Sequence, residues 1–315
     1  MLVLLPIPFA CERGKGHFRS GPATDTIYMK TRDGIEEDLA RGREYIERMW
    51  QEVAPFVDCD AAARATRDLT SVFWVLQLAY TVKSNGKTLM ERGRLGYENN
   101  KGPDLFAEDD PGIWMEAVAV GRGTGPDALK RYEAKEPVYN YDPDPVVLRL
   151  RSVIKDKSEK IQSYITDGII KPSQATVIAI SGVSLPPHCS SGIYPPEIVR
   201  AVYPVNNQVL QLNRETMAVT DSHFEYRDRV YKKNGADVAT DIFMDPNFSH
   251  ISAVLFGESG WVYPLIPPGA EFKLVHNSMA ATPLPDGWFP GDKYWWRDGE
   301  RHWTLERRRN TDVSR

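Results

Sequence analysis

The sequence contains little cysteine: Cys11, Cys59 and Cys189 are the three cysteines in 315 residues, and they form no CxxC pair. Disulfide frameworks need an even set of cysteines and zinc clusters need closely spaced ligands, so neither is expected. The cysteine pattern therefore indicates a reducing, cytoplasmic location.

Apolar runs long enough to cross a bilayer are also missing. The N-terminal stretch MLVLLPIPFAC has two prolines and no basic region before it. It is about half as long as a membrane span. We therefore expect a strand or arm packed on the domain, and no membrane partner.

Positive charge is not in excess, because 39 Lys and Arg stand against 43 Asp and Glu. A net charge of −4 neither supports nor forbids a nucleic-acid partner, since a local basic groove is compatible with an acidic mean. The motifs GxSxG, HExxH, GxGxxG and the Walker loop are absent, so the common hydrolase and nucleotide-binding signatures give no assignment.

Three segments have helical periodicity. Residues 34 to 56 alternate apolar and charged positions as an amphipathic helix does, and 68 to 82 is apolar on nearly all sides, which indicates a buried helix. Residues 146 to 165 form a third helix with an apolar stripe. A polar, Gly- and Pro-rich loop from 121 to 145 precedes the third helix.

Short apolar runs between turn residues predict strands. The DDPG sequence at 109 to 112 separates DLFAE from IWMEAVAV and predicts an antiparallel hairpin. Further strands are expected at 175 to 181, 208 to 213 and 251 to 256. The order of helices and strands predicts an α/β fold.

Glu116 interrupts the apolar run IWMEAVAV, and burying a lone carboxylate costs several kcal/mol. A hairpin loop of three or five residues, with 108 to 112 as the preferred choice, places Asp104 opposite Glu116 on one sheet face. A four-residue loop places them on opposite faces. Two facing carboxylates suit Mg²⁺ or Mn²⁺. The alternatives are an ion pair with Arg or Lys, or a solvated strand face.

Lys157 occupies an apolar position of the third helix, on the stripe with Leu150, Ile154 and Ile161. We expect its ammonium to complete a cluster with the two acids and to stabilise charge on a phosphate. Lys160 is the reserve for this role. The alternative is a lysine whose stem is buried and whose head reaches water.

A buried helix, GPD at a strand start, a turn and WMEAVAV together resemble the PD-(D/E)XK superfamily of restriction-endonuclease-like nucleases. The resemblance covers residues 68 to 181, about a third of the chain. It implies a core of helix, three-stranded antiparallel meander, helix and strand, in which Asp104 and Glu116 bind magnesium for phosphodiester hydrolysis of nucleic acid.

The sequence departs from this family at two positions. Val118 stands where the family has its lysine, so Lys157 is the substitute, and Gln77 stands on the first helix where a glutamate is frequent. Arg149 and Arg151 are supporting candidates for phosphate contact. Because of these departures, a catalytically inactive protein that serves as a binding or scaffold module is an alternative hypothesis. A further alternative is an unrelated enzyme with its pocket in the C-terminal third.

The same interpretation divides the chain into three parts. Residues 1–67 form a helical N-terminal extension, 68–204 the nuclease-like core, and 205–315 a mixed C-terminal extension packed on that core. Tryptophans 288, 295, 296 and 303 are expected to serve core or interface packing, with base stacking as the alternative.

Overall fold

The computed structural model describes residues 16–19, 21–95, 102–129, 142–185, 195–262, 267–298 and 303–308. The N-terminal stretch MLVLLPIPFAC lies outside these ranges. Six α-helices occur in this part of the chain: α1 Thr26–Asp33, α2 Glu37–Val53, α3 Ala61–Ala65, α4 Leu69–Ser84, α5 Asp144–Thr166 and α6 Glu197–Arg200.

The three predicted helices are confirmed as α2, α4 and α5. Asp68 caps α4, because its carboxylate accepts a hydrogen bond from the backbone N–H of Ser71. The helix ends at Ser84, and its C-cap residue Asn85 precedes a left-handed glycine. Within the described residues, no helix is both long and apolar enough to cross a membrane.

Eleven strands are described: β1 Leu105–Ala107, β2 Ile113–Ala119, β3 Ala175–Ser181, β4 Val205–Leu212, β5 Val219–Tyr226, β6 Arg229–Tyr231, β7 Asp237–Ala239, β8 Ala253–Gly257, β9 Lys273–His276, β10 Asp292–Asp298 and β11 Trp303–Arg308. The predicted hairpin is β1 and β2, and the other three predicted strands are β3, β4 and β8. The expected mixed α/β class is confirmed.

Seven strands form one mixed sheet in the order β1-β2-β3-β8-β9-β10-β11. Strands β2, β3 and β8 run parallel, while β1 pairs antiparallel with β2. Leu89 adds a single antiparallel bridge to Ala107. The remaining strands form two small hairpins, β4 with β5 and β6 with β7.

Helices cover both faces of this sheet. One apolar cluster contains residues of α2, α3 and α4 with Met115 and Ala117 of β2. The second contains residues of α5 and α6 with Trp114. Because successive strand residues point to opposite faces, Glu116 belongs to the face that α5 covers.

The division of the chain at residue 205 stays a prediction. Strands β8 to β11, which follow that residue, belong to the same sheet as β1 to β3. Strand β8 pairs with β3 in the centre of the sheet, and β9 to β11 extend the sheet beyond it. Trp288 and Trp296 are buried, as the packing interpretation expects.

Candidate active site

The register of the first hairpin brings two acids together. Leu105 pairs with Met115 and Ala107 with Ile113, so residues 108 to 112 form a five-residue loop. Asp104 immediately precedes β1, and continuing this register by one residue sets it opposite Glu116; the charges of Glu116, Lys157 and Lys160 all act on its carboxylate, in agreement with that position. The predicted register is therefore confirmed, and the arrangement with the acids on opposite faces is wrong.

Glu116 is 1% exposed and receives two ammonium groups from α5. Its Oε1 lies 2.5 Å from Lys157 Nζ and 2.8 Å from Lys160 Nζ. Its Oε2 is buried and has no hydrogen-bond partner among the described residues. One side of the carboxylate is thus neutralised, while the other still needs a donor or a cation.

Helix geometry explains why both lysines reach the same oxygen. Residues three apart lie on neighbouring positions of one helix face, and Lys157 and Lys160 have this spacing. Leu150, Ile154 and Ile161 are buried on the same stripe and hold it against the sheet. Lys157 is therefore directed inward as predicted, and Lys160 is a second partner of Glu116 instead of a reserve.

Asp104 is half-buried, and its Oδ2 accepts a hydrogen bond of 2.8 Å from the backbone N–H of Ala117. Burial, followed by the negative charge of Glu116, raises the pKa of Asp104 to about 6. The Ala117 N–H and the two lysines oppose this rise. Asp104 therefore changes its protonation in the range near neutral pH.

The charge of Glu116 also shifts the pKa of Lys160. Burial alone would lower its pKa, but the charge of Glu116 and the hydrogen bond to it outweigh burial and raise the pKa above the ordinary lysine value. Lys160 therefore stays charged at neutral pH. It is the more exposed of the two lysines, since 45% of its side chain remains accessible against 19% for Lys157.

Tyr164, near the end of the third predicted helix, is a further member of the site. Lys160 Nζ lies 5.5 Å from the centre of its ring, within the range of a cation–π contact. Burial raises the pKa of the Tyr164 hydroxyl, Lys160 opposes this rise, and the charges of Glu116 and Asp104 add to it. Its spacing of four residues from Lys160 was the available signal.

Arg92 links the backbone just before Asp104 to Asp58, in the N-terminal part of the chain. Arg92 donates from Nη1 to the carbonyl of Pro103 at 2.5 Å and from Nε to Asp58 at 2.7 Å. Arg64 also pairs with Asp58, at 2.9 Å. No local sequence signal connects these residues, because Asp58 and Pro103 are distant in the chain.

The three supporting candidates lie elsewhere. Gln77 of α4 is buried on the opposite sheet face, where its Nε2 lies 3.3 Å from Glu271 Oε1. Arg149 donates to the carbonyl of Gly121 at 2.9 Å. Arg151 is buried and donates to a carbonyl of β7, and burial lowers its pKa. The structure does not bring them to the acid pair.

The candidate ligands for a divalent cation at the site are two carboxylates, those of Asp104 and Glu116. The described residues contain no group of three or more His, Cys, Asp and Glu side chains arranged for a metal. Mg²⁺ commonly retains several waters and binds through one or two carboxylates. Glu116 Oε2 and the Asp104 carboxylate are the oxygens available for such an ion, whereas the two ammonium groups on Glu116 Oε1 oppose a further positive charge there.

Comparisons with protein-family models, with curated proteins and with solved structures found no significant match to this chain.

Proposed function

We propose that the protein is a metal-dependent phosphodiesterase that hydrolyses nucleic acid. The observation that carries the proposal is the Asp104–Glu116 pair, set face to face by the hairpin register and approached by two lysines of α5. The order of α4, the β1–β2 hairpin, α5 and β3 gives partial support. The PD-(D/E)XK resemblance implies a three-stranded antiparallel meander between the helices, and the described residues have two strands there with a single bridge from Leu89.

Each residue of the site has a role in this chemistry. Asp104 and Glu116 would hold Mg²⁺ or Mn²⁺, which when bound supplies a water of lowered pKa and neutralises phosphate charge. Asp104 is available as a carboxylate only above its raised pKa of about 6. The ammonium groups of Lys157 and Lys160 would both add positive charge beside the phosphate, and the more exposed of them would contact its oxygens directly.

Lys160 is better placed than Lys157 to meet a substrate. Both ammonium groups bind Glu116 Oε1, but the side chain of Lys160 is 45% exposed and that of Lys157 is 19% exposed. We therefore assign the first phosphate contact to Lys160 and the support of Glu116 to Lys157.

A second function, a binding or scaffold module without catalysis, is favoured by one observation. Two ammonium groups already neutralise Glu116, so the site can exist without a metal. Val118 in the usual lysine position agrees with this alternative.

Cleavage assays with Mg²⁺ or Mn²⁺ on single- and double-stranded DNA and RNA test the proposal. We expect Asp104→Asn and Glu116→Gln to lose at least about 100-fold in rate, because each removes a carboxylate ligand. Glu108→Gln, an exposed change in the hairpin loop, is the matched control and keeps full activity. Cleavage at the unmodified rate by the folded Asp104→Asn variant would remove the proposed site.

A further inference from the structure

The β4–β5 hairpin is a two-stranded sheet that pairs with no other described strand. Most of its residues are exposed along both strands. Nine large apolar side chains are exposed among the described residues, and five lie in this hairpin or its turn: Leu210, Leu212, Met217, Val219 and Tyr226. A concentration of exposed apolar side chains of this kind marks a candidate contact surface.

The exposed aliphatic side chains share one face. Leu210 and Leu212 are two residues apart in β4 and point to the same side. Leu212 pairs with Val219 of β5, which adds a third side chain to that side. These three residues, which we call the aliphatic face, are 43 to 57% exposed.

The two outer edges of the hairpin differ in charge. Strand β4 reads VNNQVLQL, with no charged residue and no proline, whereas β5 carries Asp221 and Glu225. Edge strands of monomeric proteins normally carry charges, prolines or bulges that prevent pairing with another chain. The β4 edge lacks the first two of these features, and its irregularities lie at the two ends, between residues 205 and 208 and at 211 and 212.

The base of the hairpin is fixed to the domain. The buried Arg200 of α6 reaches the side-chain oxygens of Asn206 and Asn207 at 3.1 and 3.3 Å, and Phe224 packs against the core. At the tip, Met217 has a φ of 55° and is 68% exposed. A left-handed conformation costs a non-glycine residue about 1 kcal/mol or more. The hairpin is therefore held as an arm with an apolar tip.

We propose that the β4 edge pairs antiparallel with β4 of a second copy of this chain. The same strand then serves both partners, as a two-fold interface requires. An uncharged edge meets its own copy without repulsion, whereas two β5 edges would bring Asp221 and Glu225 close to their copies. The pairing also joins the two aliphatic faces into one surface. The acidic residues of β5 disfavour a phosphate-bearing partner for this arm.

Sedimentation velocity over a range of protein concentrations tests this interface. We expect the full chain, of mass 35.6 kDa, to sediment as a dimer of twice that mass at a concentration of about 100 μM. Leu210→Lys places one positive charge on the β4 edge of each copy, so the interface gains two like charges, and should raise the dimer dissociation constant at least about 10-fold. His223→Lys places the same charge on β5, facing away from the aliphatic face, and should leave the constant unchanged.

Circular dichroism and thermal unfolding establish that each variant is folded, and Leu212→Lys provides a second edge variant. A full chain that stays monomeric up to about 100 μM, or a dimer that both β4 variants leave intact, would overturn the proposal. Equal weakening by His223→Lys would also overturn it, because the effect would then arise from charge on the arm and not from the β4 edge.

Discussion

Lys157 Nζ lies 2.5 Å from Glu116 Oε1, so an acid from the middle of a buried strand is neutralised by a lysine from the covering helix. The second ammonium, from Lys160, binds the same oxygen. The other oxygen of Glu116 stays buried without a partner among the described residues. The carboxylate is therefore half satisfied by the protein, and Asp104 on the facing strand adds charge of the same sign.

Removing Lys157 should destabilise the fold. In Lys157→Met the buried carboxylate keeps only Lys160, and we expect the free energy of unfolding to fall by about 1–3 kcal/mol, measured by urea denaturation. Lys155→Met is the control on the same helix. Lys155 is exposed and 3.8 Å from Glu159, so its loss should change stability by less than about 0.5 kcal/mol.

A double-mutant cycle assigns that loss to the ion pair. In a Glu116→Gln background the buried charge is gone, and we expect Lys157→Met to cost less than about 1 kcal/mol. An unchanged cost in that background would mean that Lys157 stabilises the protein through packing of its stem alone.

Asp104→Asn should stabilise the protein at neutral and alkaline pH. The folded-state pKa of about 6 lies above the ordinary value of 3.8, so the folded state binds more protons between these values. Stability of the unmodified protein therefore falls as pH rises from about 4 to about 6, and the cost persists above that range. We expect Asp104→Asn to be more stable at pH 8 by at most about 3 kcal/mol.

Thermal unfolding from pH 4 to pH 8 without divalent cations measures this difference. The gap between the two proteins should close toward pH 4, where Asp104 is protonated in the folded state. A variant that is less stable than the unmodified protein at pH 8 would show that the Asp104 carboxylate is stabilised by its neighbours, against the direction of its pKa shift.

Gly257→Ala should destabilise the sheet without affecting the acid pair. A Cβ at this last residue of β8 would lie 2.9 Å from the rings of Trp74 and Phe272. Overpacking of this kind costs about 1–3 kcal/mol. Gly121→Ala, where no atom lies within 4 Å of the added Cβ, is the matched change and should have little effect. Equal melting temperatures for the two variants would contradict the tight packing at Gly257.

Local patterns in the sequence were sufficient for the central part of the fold and of the site. The periodicity of α4 and α5, the DDPG turn and the apolar strand runs are properties of neighbouring residues. The hairpin register follows from loop length and apolar alternation, so the facing of Asp104 and Glu116 was predictable. The inward direction of Lys157 followed from its place in an apolar stripe.

Contacts between distant segments were not predictable in this way. Strand β8 enters the sheet beside β3 after more than 70 residues, and Arg92 connects Asp58 to the backbone before Asp104. Gln77 interrupts an apolar helix in the same way that Glu116 interrupts an apolar strand. Its partner, however, is Glu271, and the two lie on the sheet face opposite to that of Glu116. A polar residue in an apolar run indicates a partner, and only the topology decides which one.

Calorimetric titration with Mg²⁺ or Mn²⁺ at pH 8 tests most directly whether the acid pair is a cation site. We expect the unmodified protein to bind a divalent cation and to melt at a higher temperature in its presence, because the cation binds only the folded state. Glu116→Gln and Asp104→Asn should lose both the heat and the shift. If the unmodified protein shows no binding heat and no thermal shift, the metal-dependent site is contradicted. Glu116 is then a structural ion-pair partner of Lys157 and Lys160.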